Sequence, residues 1–248
     1  MTPTRIQTTY ESLQEWQLLY RDQYISEILD LEKPPTDLLC LECRSQQGSF
    51  RCKECFSQSL LCCSCCFAAH RNMPLHHIEK WTGQFFNATS LNQEGFILYL
   101  GHNGEPCPKI HRGRSGKESH AESSDEDDWE GEGGGEGEGV PLAGWEKKDG
   151  RCLVIVDTSG VHQLRIGWCQ CETAAEPHIQ LLRNRFFPAS MKRPSTAFTF
   201  SVLDYFHIDS VECKTSASSF FSKLRRLTNS SSPHSIPVCR GVAPGWPN

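Results

Sequence analysis

Apolar side chains recur at intervals of three or four residues between positions 8 and 31, the spacing of one face of an α-helix. Five residues form this face: Leu13, Trp16, Tyr20, Tyr24 and Ile28. Thr8 and Glu11 have the spacing of a capping box at its start, and Pro34 and Pro35 end it. The pattern predicts a helix that packs against its own protein or binds a partner.

The second half of the chain has a strand pattern at residues 152–172. An apolar run ends at Val156, residues 157–160 have the composition of a turn, and apolar residues then alternate at Leu164, Ile166 and Trp168. This order predicts a β-hairpin.

A further amphipathic helix is predicted at residues 216–228. The apolar residues that we expect to face inward are Phe220, Phe221, Leu224 and Leu227. Residues 196–206, rich in Thr, Phe and Val, fit either a strand or a helix.

The formal net charge of −5 conceals two regions of opposite sign. Positions 118–139 hold ten acidic residues and no Lys or Arg, within a Gly-rich stretch at 111–149. Such a composition cannot offset the entropy of ordering, so we expect a disordered acidic linker. Residues 178–248 carry nine Lys or Arg against three Asp or Glu, which suits an anionic partner.

Fourteen cysteines are present, which indicates either disulfides or metal ligation. The first 16 residues have no apolar stretch of the secretory type, and no run approaches the roughly 20 apolar residues of a membrane span. We therefore expect an intracellular protein with no membrane partner, whose thiols stay reduced and bind metal.

The strongest signal is a series of Cys-x2-Cys pairs followed by histidines. The ligand candidates are Cys40, Cys43, Cys52, Cys55, Cys62, Cys65, His70 and His76. Eight ligands of this type suit two tetrahedral Zn²⁺ sites, because thiolate and imidazole are the donors of closed structural zinc sites. We assign them in interleaved order, with Cys40, Cys43, Cys62 and Cys65 in one site and the remaining four in the other.

Spacing alone leaves several choices open. Sequential pairing of the same ligands is the alternative to the interleaved order. Cys63 and Cys66 form another Cys-x2-Cys pair, shifted by one residue, and His77 competes with His76.

A weaker pattern lies at the end of the predicted hairpin. Cys169 and Cys171 are two residues apart, so on a strand their side chains point to one face and can share a metal. Cys107 and His162 are the nearest completions of a third site. His162 has the opposite strand parity to Cys169, so this assignment requires a bulge or a bend.

The cysteine-rich segment resembles a B-box zinc domain, including the step from Leu61 to Cys62. The order of motifs also resembles the CxC-type cysteine cluster region of the Kyakuja-Dileera-Zisupton (KDZ) transposases of fungi. The stretches that carry this resemblance are residues 16–32, RCKECF, LLCCSCC and PLHHIEKW within 51–81, LGHNGEPCP at 100–108, VIVDTSGVHQLRIGWCQC at 154–171, QLLRNRFFPA at 180–189 and residues 196–229.

The resemblance implies a zinc-chelating module that precedes a transposase domain and serves DNA binding or assembly, in the nucleus. It matches Cys107, His162, Cys169 and Cys171 as one cluster and favours His76 over His77. The chain ends where such a transposase would continue into its catalytic domain, so we expect a truncated product with no catalytic residues and no small-molecule substrate.

Three further hypotheses concern partners and activity. Arg183, Arg185, Lys192 and Arg193 bracket Phe186 and Phe187, a combination that suits DNA, with phosphate contacts and base stacking. The first alternative is a B-box-like module that binds protein partners or itself. The second is a metal-dependent nuclease that uses Asp157, the carboxylate after the strand VIV.

The sequence thus predicts small α+β domains stabilised by two zinc ions, with a third ion possible. They are an N-terminal helix (1–35), a B-box-like double-zinc module (36–88), the first part of a CxC domain (89–110), the disordered linker (111–149), the hairpin-containing CxC domain with its C-terminal helix (150–229), and an unstructured tail (230–248).

Overall fold

A computed structural model describes residues 9–33, 36–57, 59–109 and 152–236. The acidic linker predicted at 111–149 lies outside these residues, as does the tail beyond residue 236. The chain divides into two units, the first comprising residues 1–68 and 77–89, and the second residues 69–76 and 90–248. Both mix helices and strands, which confirms the predicted α+β class.

The first unit begins with the helix that the sequence predicts. It runs through α1 (Thr9–Glu15), a π-helical segment (Trp16–Tyr20) and α2 (Arg21–Asp30). No residue of the π-helical segment or of α2 is buried. The apolar stripe along this helix is therefore exposed on the described unit.

The sheet of the first unit has three strands in the order β1 (Phe50–Cys52), β2 (His77–Trp81) and β3 (Phe86–Ser90). Strands β1 and β2 are antiparallel, with Arg51 opposite Glu79. A short helix, α3 (Cys63–Ala69), follows the second Cys-x2-Cys pair. The buried apolar side chains of this unit are few, so metal ligation suits it as a source of stability.

The second unit has a five-stranded sheet in the order β4-β6-β5-β8-β7. Its strands are β4 (Ile97–Tyr99), β5 (Cys152–Asp157), β6 (Gly160–Gly167), β7 (Phe186–Pro188) and β8 (Thr196–Thr199). The predicted hairpin is β5 with β6. Strand β4 pairs in parallel with β6, and β8 in parallel with β5.

Three helices cover this sheet: α4 (Pro177–Arg183), α5 (Phe200–Glu212) and α6 (Ala217–Thr228). Short 3-10 helices span His102–Gly104 and Pro233–Ser235. The ambiguous segment at 196–206 is a strand followed by a helix, with Thr199 as the N-cap that accepts a hydrogen bond from the Val202 N–H.

Apolar cores lie on both faces of the sheet. One contains Val156, Val161 and the α6 residues Phe220, Phe221 and Leu224. The other joins residues of β5 and β6 to α4 and to the loop after β4; its members are Leu100, Leu153, Ile155, Leu164, Ile166, Leu181, Phe186 and Ala197.

The prediction that Leu227 faces inward is wrong, since this side chain is 56% exposed. Thr228 faces the sheet in its place. The Thr228 hydroxyl accepts a hydrogen bond from the Val161 N–H (2.7 Å) and donates one to the Leu224 carbonyl (3.0 Å). None of the helices in the described part of the chain combines the length and hydrophobicity that a membrane crossing requires.

Candidate metal centres

Among the described residues, cysteine and histidine side chains form three groups of four. The groups are Cys40, Cys43, Cys62 and Cys65; Cys52, Cys55, His70 and His76; and His102, Cys107, Cys169 and Cys171. Within each group all the ligand atoms lie within 4.8 Å of one another. The cysteines of these three groups are not joined by disulfide bonds.

The spacing of these atoms suits tetrahedral zinc. With Zn–S bonds of about 2.3 Å and Zn–N bonds of about 2.0 Å, ligand atoms lie roughly 3.8 Å (S–S) and 3.6 Å (S–N) apart. The Sγ atoms of Cys43 and Cys62 are 3.9 Å apart, and those of Cys107 and Cys171 are 3.8 Å apart. The donor set and its spacing therefore fit Zn²⁺.

The first group is built from a tight turn and the start of a helix. The turn that carries Cys40 and Cys43 is closed by a hydrogen bond from the Arg44 N–H to the Cys40 carbonyl (2.9 Å). Arg44 adopts the left-handed backbone conformation that this turn requires (φ 51°). The turn is tied to the third Cys-x2-Cys pair by the Leu41 N–H, which donates to the Leu60 carbonyl (2.9 Å).

The start of helix α3 determines which of the four cysteines at positions 62, 63, 65 and 66 point toward the first group. Cys62 and Cys65 stand three residues apart, one helical turn, and both join the first group. Cys66 is buried and Cys63 is exposed, outside any of the three groups. The structure thus brings together the pair chosen from the sequence rather than the shifted pair.

The second group contains the four residues that the interleaved order predicts. His70 is almost fully buried, and its ring meets that of His76 edge to face, with centroids 5.5 Å apart. His77 begins β2, and its Nδ1 lies 2.6 Å from Oε1 of Glu54. The structure therefore places His76, and not His77, among the ligand candidates.

The third group differs from the prediction in its histidine. His102 Nε2 lies 3.3 Å from the Cys169 Sγ and 3.5 Å from the Cys171 Sγ. The predicted ligand His162 lies near the start of β6, where its Nε2 is 2.9 Å from the Ser159 hydroxyl. The strand between 162 and 167 is regular, so no bend brings His162 to the cysteines.

Side chains in and just after helix α4 hold the backbone segments that carry the third group. The Gln180 side chain accepts a hydrogen bond from the Cys169 N–H (2.9 Å) and donates to the Cys169 carbonyl (3.1 Å). Asn184 donates to the Leu100 carbonyl (3.0 Å), just before the loop that carries His102. One helix therefore holds two segments of the site that lie about 70 residues apart in sequence.

The loop that carries His102 and Cys107 depends on close packing. A Cβ atom at Gly101 would lie 2.9 Å from the Cys169 Cβ, so a larger residue would displace the strand end that carries the thiol. Arg71 donates to the Asn103 carbonyl (2.5 Å) and pairs with Glu105 (2.7 Å). His102 and Asn103 both have positive φ, which turns the His102 ring back toward the cysteines.

Hydrogen bonds shift the pKa values of the thiols in opposite directions. Hydrogen bonds from Ser45 lower the pKa of Cys43 to about 6, and the Gln170 N–H lowers that of Cys107 to about 6. The hydrogen bond with Cys62 raises the pKa of Cys65 to about 12, and that with Cys169 raises the pKa of Cys171 to about 11. The first and third groups thus each combine a thiol that is readily deprotonated with one whose proton a metal must displace.

The four candidate nucleic-acid contacts, Arg183, Arg185, Lys192 and Arg193, are all exposed. Arg183 also lines a cavity of about 200 Å³ beside the third group. Phe187 is 49% exposed, whereas Phe186 is buried in the core.

Asp157 is held as a turn residue. Its carboxylate accepts hydrogen bonds from the Thr199 hydroxyl (2.7 Å), the Ser159 hydroxyl (2.7 Å) and the Ser159 N–H (3.0 Å). Burial alone would raise the pKa of Asp157, but these hydrogen bonds hold it below its usual range. Within the described residues, Asp157 joins no group of three or more potential metal ligands.

The sequence reasoning missed His102 although a signal was present. The stretch His-Asn-Gly followed by Cys107 has a turn of four residues between two potential ligands. His162 is nearer in sequence to Cys169, so spacing alone favours it over His102.

A family model matches one segment in the second half of the chain. Residues 143–232 match the family model described as a CxC2-like cysteine cluster associated with KDZ transposases, which confirms the predicted resemblance for this segment. The matched segment contains Cys169 and Cys171, whereas His102 and Cys107 precede it. No curated protein and no solved structure matches the chain significantly.

Proposed function

We propose that this chain is a zinc-dependent, non-catalytic binding module of a KDZ-type transposase system. The observation that carries the proposal is the presence of three four-residue Cys/His groups with tetrahedral spacing, one of which includes Cys169 and Cys171 of the matched cluster. In this proposal each group holds one Zn²⁺ ion.

The donor sets support a structural role for these ions. Structural zinc sites have four protein ligands, whereas catalytic sites keep a coordination position for water. Each group here offers four thiolate or imidazole donors. Ions bound in this way would supply folding free energy rather than chemistry.

The first experiment is zinc stoichiometry on the purified full chain by elemental analysis, with chelation followed by circular dichroism. Three ions per chain and loss of ordered structure on chelation are expected. A chain that retains its fold and its thiol reactivity unchanged after complete zinc removal would contradict the proposal.

DNA is the partner that we propose for the second unit. The exposure of Arg183, Arg185, Lys192 and Arg193 around the half-exposed Phe187 supports it, because such a surface offers phosphate contacts beside a stacking ring. Action on DNA would place the protein in the nucleus.

Fluorescence anisotropy with duplex DNA at several salt concentrations tests this partner. Replacing the four basic residues by Gln should weaken binding and flatten the dependence of log K on log salt by about 0.9 for each phosphate that is no longer neutralised. The matched control replaces Arg21 and Arg44, which are exposed in the first unit, and should leave both values unchanged. A zinc-loaded chain without DNA affinity would instead favour a module that binds proteins.

A further inference from the structure

The N-terminal helix has an apolar surface that nothing in the described chain covers. Eleven large apolar side chains between Tyr10 and Leu31 are between 38% and 82% exposed. They are Tyr10, Leu13, Trp16, Leu18, Leu19, Tyr20, Tyr24, Ile25, Ile28, Leu29 and Leu31. A helix with this composition is stable in water only when another surface packs against it.

One end of this helix is firmly attached. The buried Arg51 donates to the Leu31 carbonyl (2.7 Å) and binds both carboxylate oxygens of Glu32 (3.0 and 2.8 Å). These contacts lie just beyond the C-terminal end of α2. The attachment fixes the helix to its unit while it leaves the apolar stripe accessible.

Aromatic side chains give the stripe a defined face. The Tyr24 ring contacts the rings of Trp16 and Tyr20, each with a centroid distance of 6.4 Å. Leu13 and Ile28 extend this face toward the two ends of the helix. Rigid aromatic side chains of this kind are the usual anchors of protein interfaces.

The charges of the helix disfavour an anionic partner. Between positions 9 and 31 it carries five acidic residues and a single basic one, Arg21. Helices that lie on membrane surfaces carry Lys and Arg on their polar face, and nucleic acid requires basic side chains. An apolar protein surface is the partner that remains.

We propose that this helix pairs with the same helix of a second copy of the chain. Seven of these side chains recur every three or four residues and so share one face of the helix: Tyr10, Leu13, Trp16, Tyr20, Tyr24, Ile28 and Leu31. Together they expose roughly 700 Å², taking about 150–250 Å² for each fully exposed side chain. A standard interface buries about 800 Å² on each partner, so one identical helix is sufficient to cover the stripe. Because the stripe runs the length of the helix, two copies can contact along about 33 Å.

Sedimentation velocity of the zinc-loaded full chain across the micromolar range tests the proposal. A concentration-dependent dimer is expected. Tyr24→Asp and Ile28→Asp, placed within the aromatic and apolar face, should raise the dimer dissociation constant by roughly tenfold or more, as for residues at an interface centre.

Ser26→Asp is the matched control, because it adds the same charge to the same helix at an exposed polar position that faces away from Tyr24 and Ile28. It should leave the dimer dissociation constant within about twofold of the parent value, as for a residue outside the interface centre. Zinc content and far-UV circular dichroism of all variants establish that the units remain folded. A parent chain that stays monomeric, or a dimer that survives both face substitutions, would overturn the proposal.

Discussion

The Arg51 guanidinium lies 2.7 Å from the Glu79 carboxylate, and both side chains are almost withdrawn from water, with exposures of 7% and 12%. The two residues stand opposite each other on β1 and β2. The Arg51 guanidinium also lies 3.7 Å from the centre of the Phe86 ring on β3. A single side chain therefore joins all three strands of the first unit to the end of the N-terminal helix.

Replacing Arg51 with Met should destabilise the first unit strongly. The change removes the closer of the two cations that pair with Glu79 and leaves only the exposed Lys53 ammonium, 3.6 Å away. Breaking a buried ion pair typically costs 3–5 kcal/mol, so we expect a loss of about 3 kcal/mol. Urea unfolding of the zinc-loaded chain measures it. Arg44→Met breaks the exposed pair with Asp37 and should cost at most about 1 kcal/mol. Equal losses in the two variants would show that the burial of Arg51 has no energetic consequence.

The zinc content of two variants tests whether His102 or His162 is the histidine ligand of the third metal centre. His102→Ala removes the imidazole that lies beside Cys169 and Cys171, so the zinc content should fall by about one ion per chain, as expected for a site left with three ligands. His162→Ala removes a side chain that contacts Ser159 rather than the cysteines, and it should leave the zinc content unchanged. Elemental analysis after gel filtration compares the two. Loss of zinc from the His162 variant alone would reverse the assignment.

Cys62 and Cys63 are adjacent at the start of α3, but only Cys62 should be needed for zinc binding. Cys62→Ser removes a thiol of the first group, whereas Cys63→Ser changes an exposed thiol outside the groups. We expect the first change to abolish the first zinc site and to lower the unfolding midpoint, and the second to do neither. Cobalt substitution provides the readout, because thiolate–cobalt absorption falls with each thiolate removed. Equal absorption in both variants would exclude Cys62 as a ligand.

Zinc binding should release protons, and the number should rise as the pH falls. With pKa values of about 12 and 11, Cys65 and Cys171 are protonated at neutral pH without metal and lose their protons to bind it. Cys43 and Cys107, with pKa values of about 6, are then already thiolates, but below that pH they too carry protons. Zinc affinity should therefore fall more steeply with pH below about 6 than above it.

Calorimetric titration in buffers of different ionisation enthalpy measures the protons released. Serine variants of Cys43 and Cys107 should lose the extra release at low pH. A proton count that is constant across this range would contradict the expected difference between the thiols.

The sequence by itself determined the elements whose signals are local. The stripe from Leu13 to Ile28 predicted the N-terminal helix, and the alternation after Val156 predicted the β5–β6 hairpin. The Cys-x2-Cys pairs likewise specified residues that can share a metal, because two intervening residues form one tight turn whatever the rest of the chain does.

The tertiary structure decided every choice that depends on distant segments. His102 and Cys171 are 69 residues apart, and only the parallel pairing of β4 with β6 brings the loop after β4 to the end of β6. The helical position of each cysteine around the start of α3 places Cys62 and Cys65, rather than Cys63 and Cys66, in the first group. His77 lies outside the second group because it begins β2 and contacts Glu54. Local spacing limits which side chains can meet, but strand parity, helix phase and long-range pairing determine which of them do.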